Sequence, residues 1–304
     1  MVGYSREQAL DYAAENGISA VEFCAKGWSQ GLHLNVAMLL SDAGERDQLT
    51  GQLRDRGLEI SALNCSGNQL HPGPSGAKDD RAVRDTIELA SLMGVERVVM
   101  MSGLPAGNAT DQCPNWIVSS WPTEAEDMLA WQWNERVLPY WRDLTPVATN
   151  KGIKLCIEQH GRQVVYNTES FMRLREAVGP TVGVNFDPSH LFWMGGDAVA
   201  AIDALGECIY HVHGKDTRIE PQAAIDGLLD TKHVTPVAPR AWNYVGLGHG
   251  HSYRDWLAIV NALRAVGYDD VISIENEDHL LSPEESVSMS VNLLKFAISQ
   301  GEQT

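Results

Sequence analysis

The chain has 304 residues, 44% apolar and 21% charged, which is the composition of an ordinary folded globular protein and not of a disordered one. Forty acidic against 23 basic residues give a formal net charge of −17 at pH 7, a field that repels phosphate backbones and anionic membrane surfaces. This argues against a nucleic-acid or membrane partner. The five cysteines, an odd number without CxxC spacing, fit neither a disulfide framework nor a zinc finger and point to a reducing, cytoplasmic setting. No N-terminal secretory pattern and no run of about 20 apolar residues is present.

In chain order, Ser5 with Gln8 three residues on predicts a helix start directly at the N-terminus. Short apolar runs then predict seven strands: 18–23, 58–63, 97–101, 154–158, 182–186, 209–213 and 271–275. Longer amphipathic stretches separate them, one opening at Thr168 and closing on Gly179. Strand and helix units alternating in this way imply parallel strands joined by right-handed crossovers. The expectation is an α/β protein, a (β/α)8 TIM barrel in a single domain over residues 1–304. Its first strand is missing or vestigial: either residues 1–4 supply a stub, or the natural chain begins upstream of Met1. No GxGxxG or P-loop follows any strand. The long segments 102–123 and 216–250 follow strands, where a barrel keeps its active-site loops.

The later strands end on chemically active side chains: Glu158 and His160 in "CIEQH", Asp187 and His190 in "VNFDPSH", His211 and His213 in "YHVHGKD", Glu275 in "SIENED". In a parallel barrel these termini share one face, so three carboxylates and an imidazole meet there. Each alone reads as an Asx turn or helix cap. Together, like charges at one rim raise each other's pKa unless a cation sits among them, which points to a divalent metal. Three carboxylates and one imidazole form a mostly hard donor set, favouring Mn²⁺ and admitting Mg²⁺, Co²⁺ or Zn²⁺. His211 and His213, two apart on a strand, point the same way. His213 lies nearer the strand's C-terminal end, and His211 reads as a buried layer residue. Lys215 and Asp216 read equally as an ion pair with each other or as groups reaching substrate oxygens.

"CIEQH", "NFDPSH", "HVHGKDTR", "VGLGHG" and "GYDDVISIENED" resemble the sugar phosphate isomerase/epimerase family, the xylose isomerase-like TIM barrels that include tagatose and psicose 3-epimerases and inosose-handling enzymes. The resemblance covers nearly the whole chain from Ser5 onward and is more specific in its C-terminal half. It implies Glu158, Asp187, His213 and Glu275 as metal ligands, with His190 and, more loosely, Arg218 on substrate. It also implies proton abstraction beside a carbonyl through a metal-stabilised enediolate, with Glu158 and Glu275 as the catalytic carboxylates and His160 as a rival base. Homo-oligomers are common in such a family.

A small-molecule sugar is the expected partner. Trp28, Trp116, Trp121 and Trp193 are expected in loops after strands, where indole stacks on sugar CH faces, and Trp131, Trp133 and Trp141 in helical packing. Asn64, Ser66, Asn68 and His71 offer polar groups for hydroxyls. A second reading is a metal-dependent lyase or hydrolase that opens 3-keto glycosides or C-glycosides by β-elimination, with His160 as base. An abasic-DNA endonuclease on the same barrel needs a basic groove that this charge does not provide, and a non-catalytic sugar-binding module needs fewer carboxylates at one point.

Overall fold

A computed structural model describes residues 3–28 and 31–301, which fall into two compact bodies divided between Asn185 and Phe186. In the first, strands β1 (Ala20–Cys24), β2 (Glu59–Asn64), β3 (Arg97–Met100), β4 (Lys154–Glu158) and β5 (Val182–Phe186) pair in parallel in chain order. Branched residues make these strands dry: Val98, Val99, Leu155, Ile157, Val182 and Val184 are all fully buried. A strand buried on both faces reads as a continuous apolar run, which is why it is visible in the sequence. Each such side chain contributes about 1.5–3 kcal/mol on leaving water.

Helix signals also operate as expected, with one shift. Ser5 and Gln8 form a reciprocal capping box on the helix Arg6–Glu15. The helix Thr168–Val178 is capped one residue earlier than Thr168, by Asn167, whose side chain accepts from the Ser170 amide. Of the expected N-terminal stub, Gly3 and Tyr4 form a turn and a bend, while Met1 and Val2 lie outside the described residues. Trp133 and Trp141 are core residues of the segment 124–150. That segment passes through a π-helical stretch, Gln132–Val137, between two α-helices.

In the second body β6 (Ile209–Gly214) runs parallel to β9 (Ile272–Ile274), with His213 opposite Ser273. All seven expected strands are therefore present, and among the described residues no eighth parallel strand occurs. The long segment 216–250 that follows β6 carries an antiparallel pair, β7 (Asp216–Ile219) and β8 (Trp242–Val245). One expectation fails here: Trp193 is not in a loop. It belongs to the helix Pro188–Met194, is 7% exposed, and stacks on Trp242 at 4.8 Å with 7° between the rings. An indole already covered by another indole is packing, not a free platform for sugar.

Candidate metal centre

Where β5 ends, Asp187 leaves the strand and becomes the N-cap of the next helix, with Pro188 in its first turn. Its Oδ1 accepts the Ser189 amide at 2.9 Å. The helix-cap reading of this aspartate is thus correct for one oxygen. The other, Oδ2, is buried and receives no hydrogen bond of good geometry. Around it stand Lys215 Nζ at 3.1 Å, His190 Nε2 at 3.4 Å and His213 Nδ1 at 4.0 Å.

Glu275 arrives from the end of β9, its amide donating to the Gly214 carbonyl at the end of β6. Its Oε2 lies 3.5 Å from His213 Nδ1 and 2.5 Å from Lys215 Nζ. Ligand atoms of Asp187, His213 and Glu275 all fall within 4.8 Å of one another. His211, also buried, meets His213 ring edge to ring face at 5.7 Å.

Lys215 does not pair with Asp216, the structural alternative read from the sequence. Its nearly buried ammonium lies among Asp187, Glu275 and Glu277, the last at 3.6 Å. One internal cation thus faces three carboxylates. Loss of solvent pushes the Glu277 carboxyl above its ordinary value, Lys215 pulling it down and the neighbouring Glu275 charge pushing it further up. A buried carboxylate oxygen with an unmet acceptor is costly, and the excess negative charge adds to that cost. The donor set of two carboxylates and an imidazole fits a hard divalent cation.

Asp216 instead is saturated. It accepts from the amides of Thr217, Gly248, Gly250 and His251, from His251 Nδ1 at 2.8 Å and from Trp256 Nε1 at 3.4 Å. It fastens the loop "GLGHGH" to the start of β7. Gly250 permits the approach, since a Cβ there would stand 2.2 Å from the Thr217 carbonyl oxygen.

Tyr244, on β8, was not singled out in the sequence. Its hydroxyl lies 2.9 Å from His190 Nδ1, and its ring carries Lys215 Nζ 4.8 Å from the centroid. Burial pushes the phenol well above its ordinary value, so it stays protonated and shares one hydrogen bond with His190, whose Nε2 faces Asp187 Oδ2 at 3.4 Å. Glu277 was missed as well, although "ENED" carried it in plain view. Arg218 turns to Glu220, its Nη2 2.7 Å from Oε1.

The remaining expected site residues lie in the first body. Glu158 ends β4, is 2% exposed and accepts from Asn185 Nδ2 at 3.0 Å. His160 follows, its Nδ1 in close contact with the Gly161 carbonyl and its ring 6.1 Å from that of Trp28. Asn64 donates to Glu22 at 2.8 Å and accepts the Ser66 amide. Asn68 is tied to Leu104 from both ends of its side chain, a structural role. His71 Nδ1 accepts from Gly73, Trp116 packs edge-on against Tyr166, and Trp121 is 78% exposed.

Parallel strands alternating with helices, with charged side chains gathered just past the strand ends, define the class of α/β barrels. The family model described as Xylose isomerase-like TIM barrel matches residues 10–296, and the chain belongs to that family and has its fold. It is 46% identical over 299 residues to "Uncharacterized protein YfiH" of Bacillus subtilis (strain 168), covering 97% of this chain and 95% of that protein. Among solved structures it resembles a D-tagatose 3-epimerase-like protein at 20% identity and a TM-score of 0.66, covering 98% of this chain and 95% of the other. It also resembles the IOLI protein, solved with a zinc atom, at 18% identity and a TM-score of 0.63, covering 98% and 93%. Among the described residues no helix is long and apolar enough to cross a membrane.

Proposed function

We propose that this protein is an enzyme, a divalent-metal-dependent isomerase or epimerase that moves a proton at the carbon beside the carbonyl of a sugar or keto-sugar. The observation carrying this reading is Asp187 Oδ2, a buried carboxylate oxygen without a hydrogen bond, placed with His213 and Glu275. These three residues, with Glu158 as the fourth that the sequence resemblance supplies, hold one metal ion. Mn²⁺ is the first choice for so oxygen-rich a set. When bound, the ion polarises the substrate carbonyl and acidifies the adjacent C–H bond.

The chain's own groups then move the proton. Glu275, whose Oε2 is held by Lys215 at 2.5 Å, takes or returns it. Glu158 serves as the second carboxylate and His160 as its neighbour on the same strand end. His190, held by Tyr244, is a substrate contact, while Lys215, Arg218, Asn64 and His71 meet hydroxyls. The D-tagatose 3-epimerase-like neighbour and the zinc atom in the IOLI protein support the reading. The family model running through residues 10–296 supports one domain. The five free cysteines support a cytoplasmic location.

The test is proton exchange. Ketoses incubated in D2O with Mn²⁺ and the enzyme should gain deuterium at the carbon beside the carbonyl and yield an isomer or epimer, and Glu275→Gln should remove both. Absence of exchange with every ketose tried would overturn the proposal. Release of an aglycone from a 3-keto glycoside, without epimerisation, would replace it with the elimination reading.

A further inference from the structure

A cavity of about 190 Å³ lies within the first body, and no residue of the Asp187 cluster lines it. Its walls are mostly apolar: Leu104, Leu129 and Val164, with the rings of Trp116, Trp133 and Tyr166. The scaffold around it is built and fixed. Gln132, fully buried at the start of the π-helical stretch, donates to the carbonyls of Pro105, Ala106 and Asn115 and so fastens the loop carrying Trp116 to the helix. Short π-helical insertions recur at functional sites, because they displace side chains from regular helical register.

Three polar groups on the lining are unspent. Gln163 is 2% exposed, and its buried Oε1 accepts no hydrogen bond. Trp116, read from the sequence as a stacking platform, has a buried indole N–H that donates to nothing. Arg173 lies over the Trp133 ring at 4.2 Å and, among the described residues, has neither a hydrogen bond nor an ion pair, although the charge of Glu169, one turn earlier on the same helix and lining, acts on it. Buried polar atoms are rarely left unmet, and two among the residues lining one cavity point to a partner there. An apolar hole of about 150 Å³ takes benzene, so this one admits a single six-membered ring.

We propose that the cavity is a second ligand site, for a monocyclic hydroxycarboxylate. The ring fills the apolar walls. One hydroxyl accepts from Trp116 Nε1–H and donates to Gln163 Oε1, which a single O–H group is able to do. The carboxylate meets Arg173, the only lining cation, whose guanidinium suits it.

The experiment is titration of the full-length protein by calorimetry and by indole fluorescence, with 4-hydroxybenzoate, benzoate and 4-hydroxybenzyl alcohol as probes. The hydroxy acid should bind one to one and about tenfold or more tighter than either analogue. Arg173→Ala, at an exposed position with no fold to lose, should weaken both acids about tenfold, and Trp116→Phe should bring the hydroxy acid level with benzoate. Glu275→Gln should leave all three affinities unchanged, so that this site and the metal centre fail or stand separately. Absence of saturable binding at millimolar probe would mean a cavity filled by water and would overturn the proposal. So would binding untouched by Arg173→Ala and Trp116→Phe, or binding abolished by Glu275→Gln.

Discussion

Asp187 and Asp216 are both buried aspartates of the second body, 1% and 0% exposed, and both stand next to a strand terminus. Their surroundings are opposite. Asp216 has every lone pair answered by a nearby amide, imidazole or indole, and its role is to hold a loop in place. Asp187 has one oxygen used as a helix cap and the other without a hydrogen bond, facing the Lys215 ammonium at 3.1 Å that Glu275 and Glu277 also share. Burial of a carboxylate therefore separates nothing by itself. What separates structure from chemistry is the count of donors on each oxygen.

The sharpest break in this comparison is Glu275→Gln. It should lower turnover and exchange by about 10³-fold while leaving the thermal transition close to that of the wild type, because Asp187 and Glu277 still face the Lys215 ammonium. Next comes Asp216→Asn. Replacing one acceptor oxygen with a donor NH2 against several N–H groups should cost about 3 kcal/mol, read as a lower urea midpoint. Gly250→Ala attacks the same hub from the other side, driving a methyl into the Thr217 carbonyl, and should cost about 2 kcal/mol by the same assay. Smallest is Tyr244→Phe, which removes one hydrogen bond to His190. It should reduce turnover about tenfold and stability by about 1 kcal/mol, with little change in metal affinity.

Much of the fold was legible, for a physical reason. Strands buried on both faces leave apolar runs such as "VGVNF" that survive as sequence signals, and the less buried β1 and β9 are marked by short runs rich in Val, Ile and Phe. The β7–β8 pair did not, because its four-residue strands are separated by residues 220–241, so neither period-two alternation nor a tight turn marks it. The helix carrying Trp193 was legible and was misread: Asp187 as cap, Pro188 at its first turn and Gly195 in a left-handed closing position are its signals. At the site, the residues immediately after strands could be found by position. Glu277 could have been found the same way, whereas Tyr244 and the pairing of Lys215 with Glu275 instead of its chain neighbour Asp216 depend on long-range packing that no local pattern records.

The most direct measurement is calorimetric titration of the metal-free protein with Mn²⁺, run in parallel on wild type, Asp187→Asn and Asp216→Asn. The account predicts one ion bound per wild-type chain, binding lost in Asp187→Asn, and binding retained by the folded fraction of Asp216→Asn. Titration with no saturable Mn²⁺ binding in the wild type, or with Asp187→Asn binding as the wild type does, would contradict it.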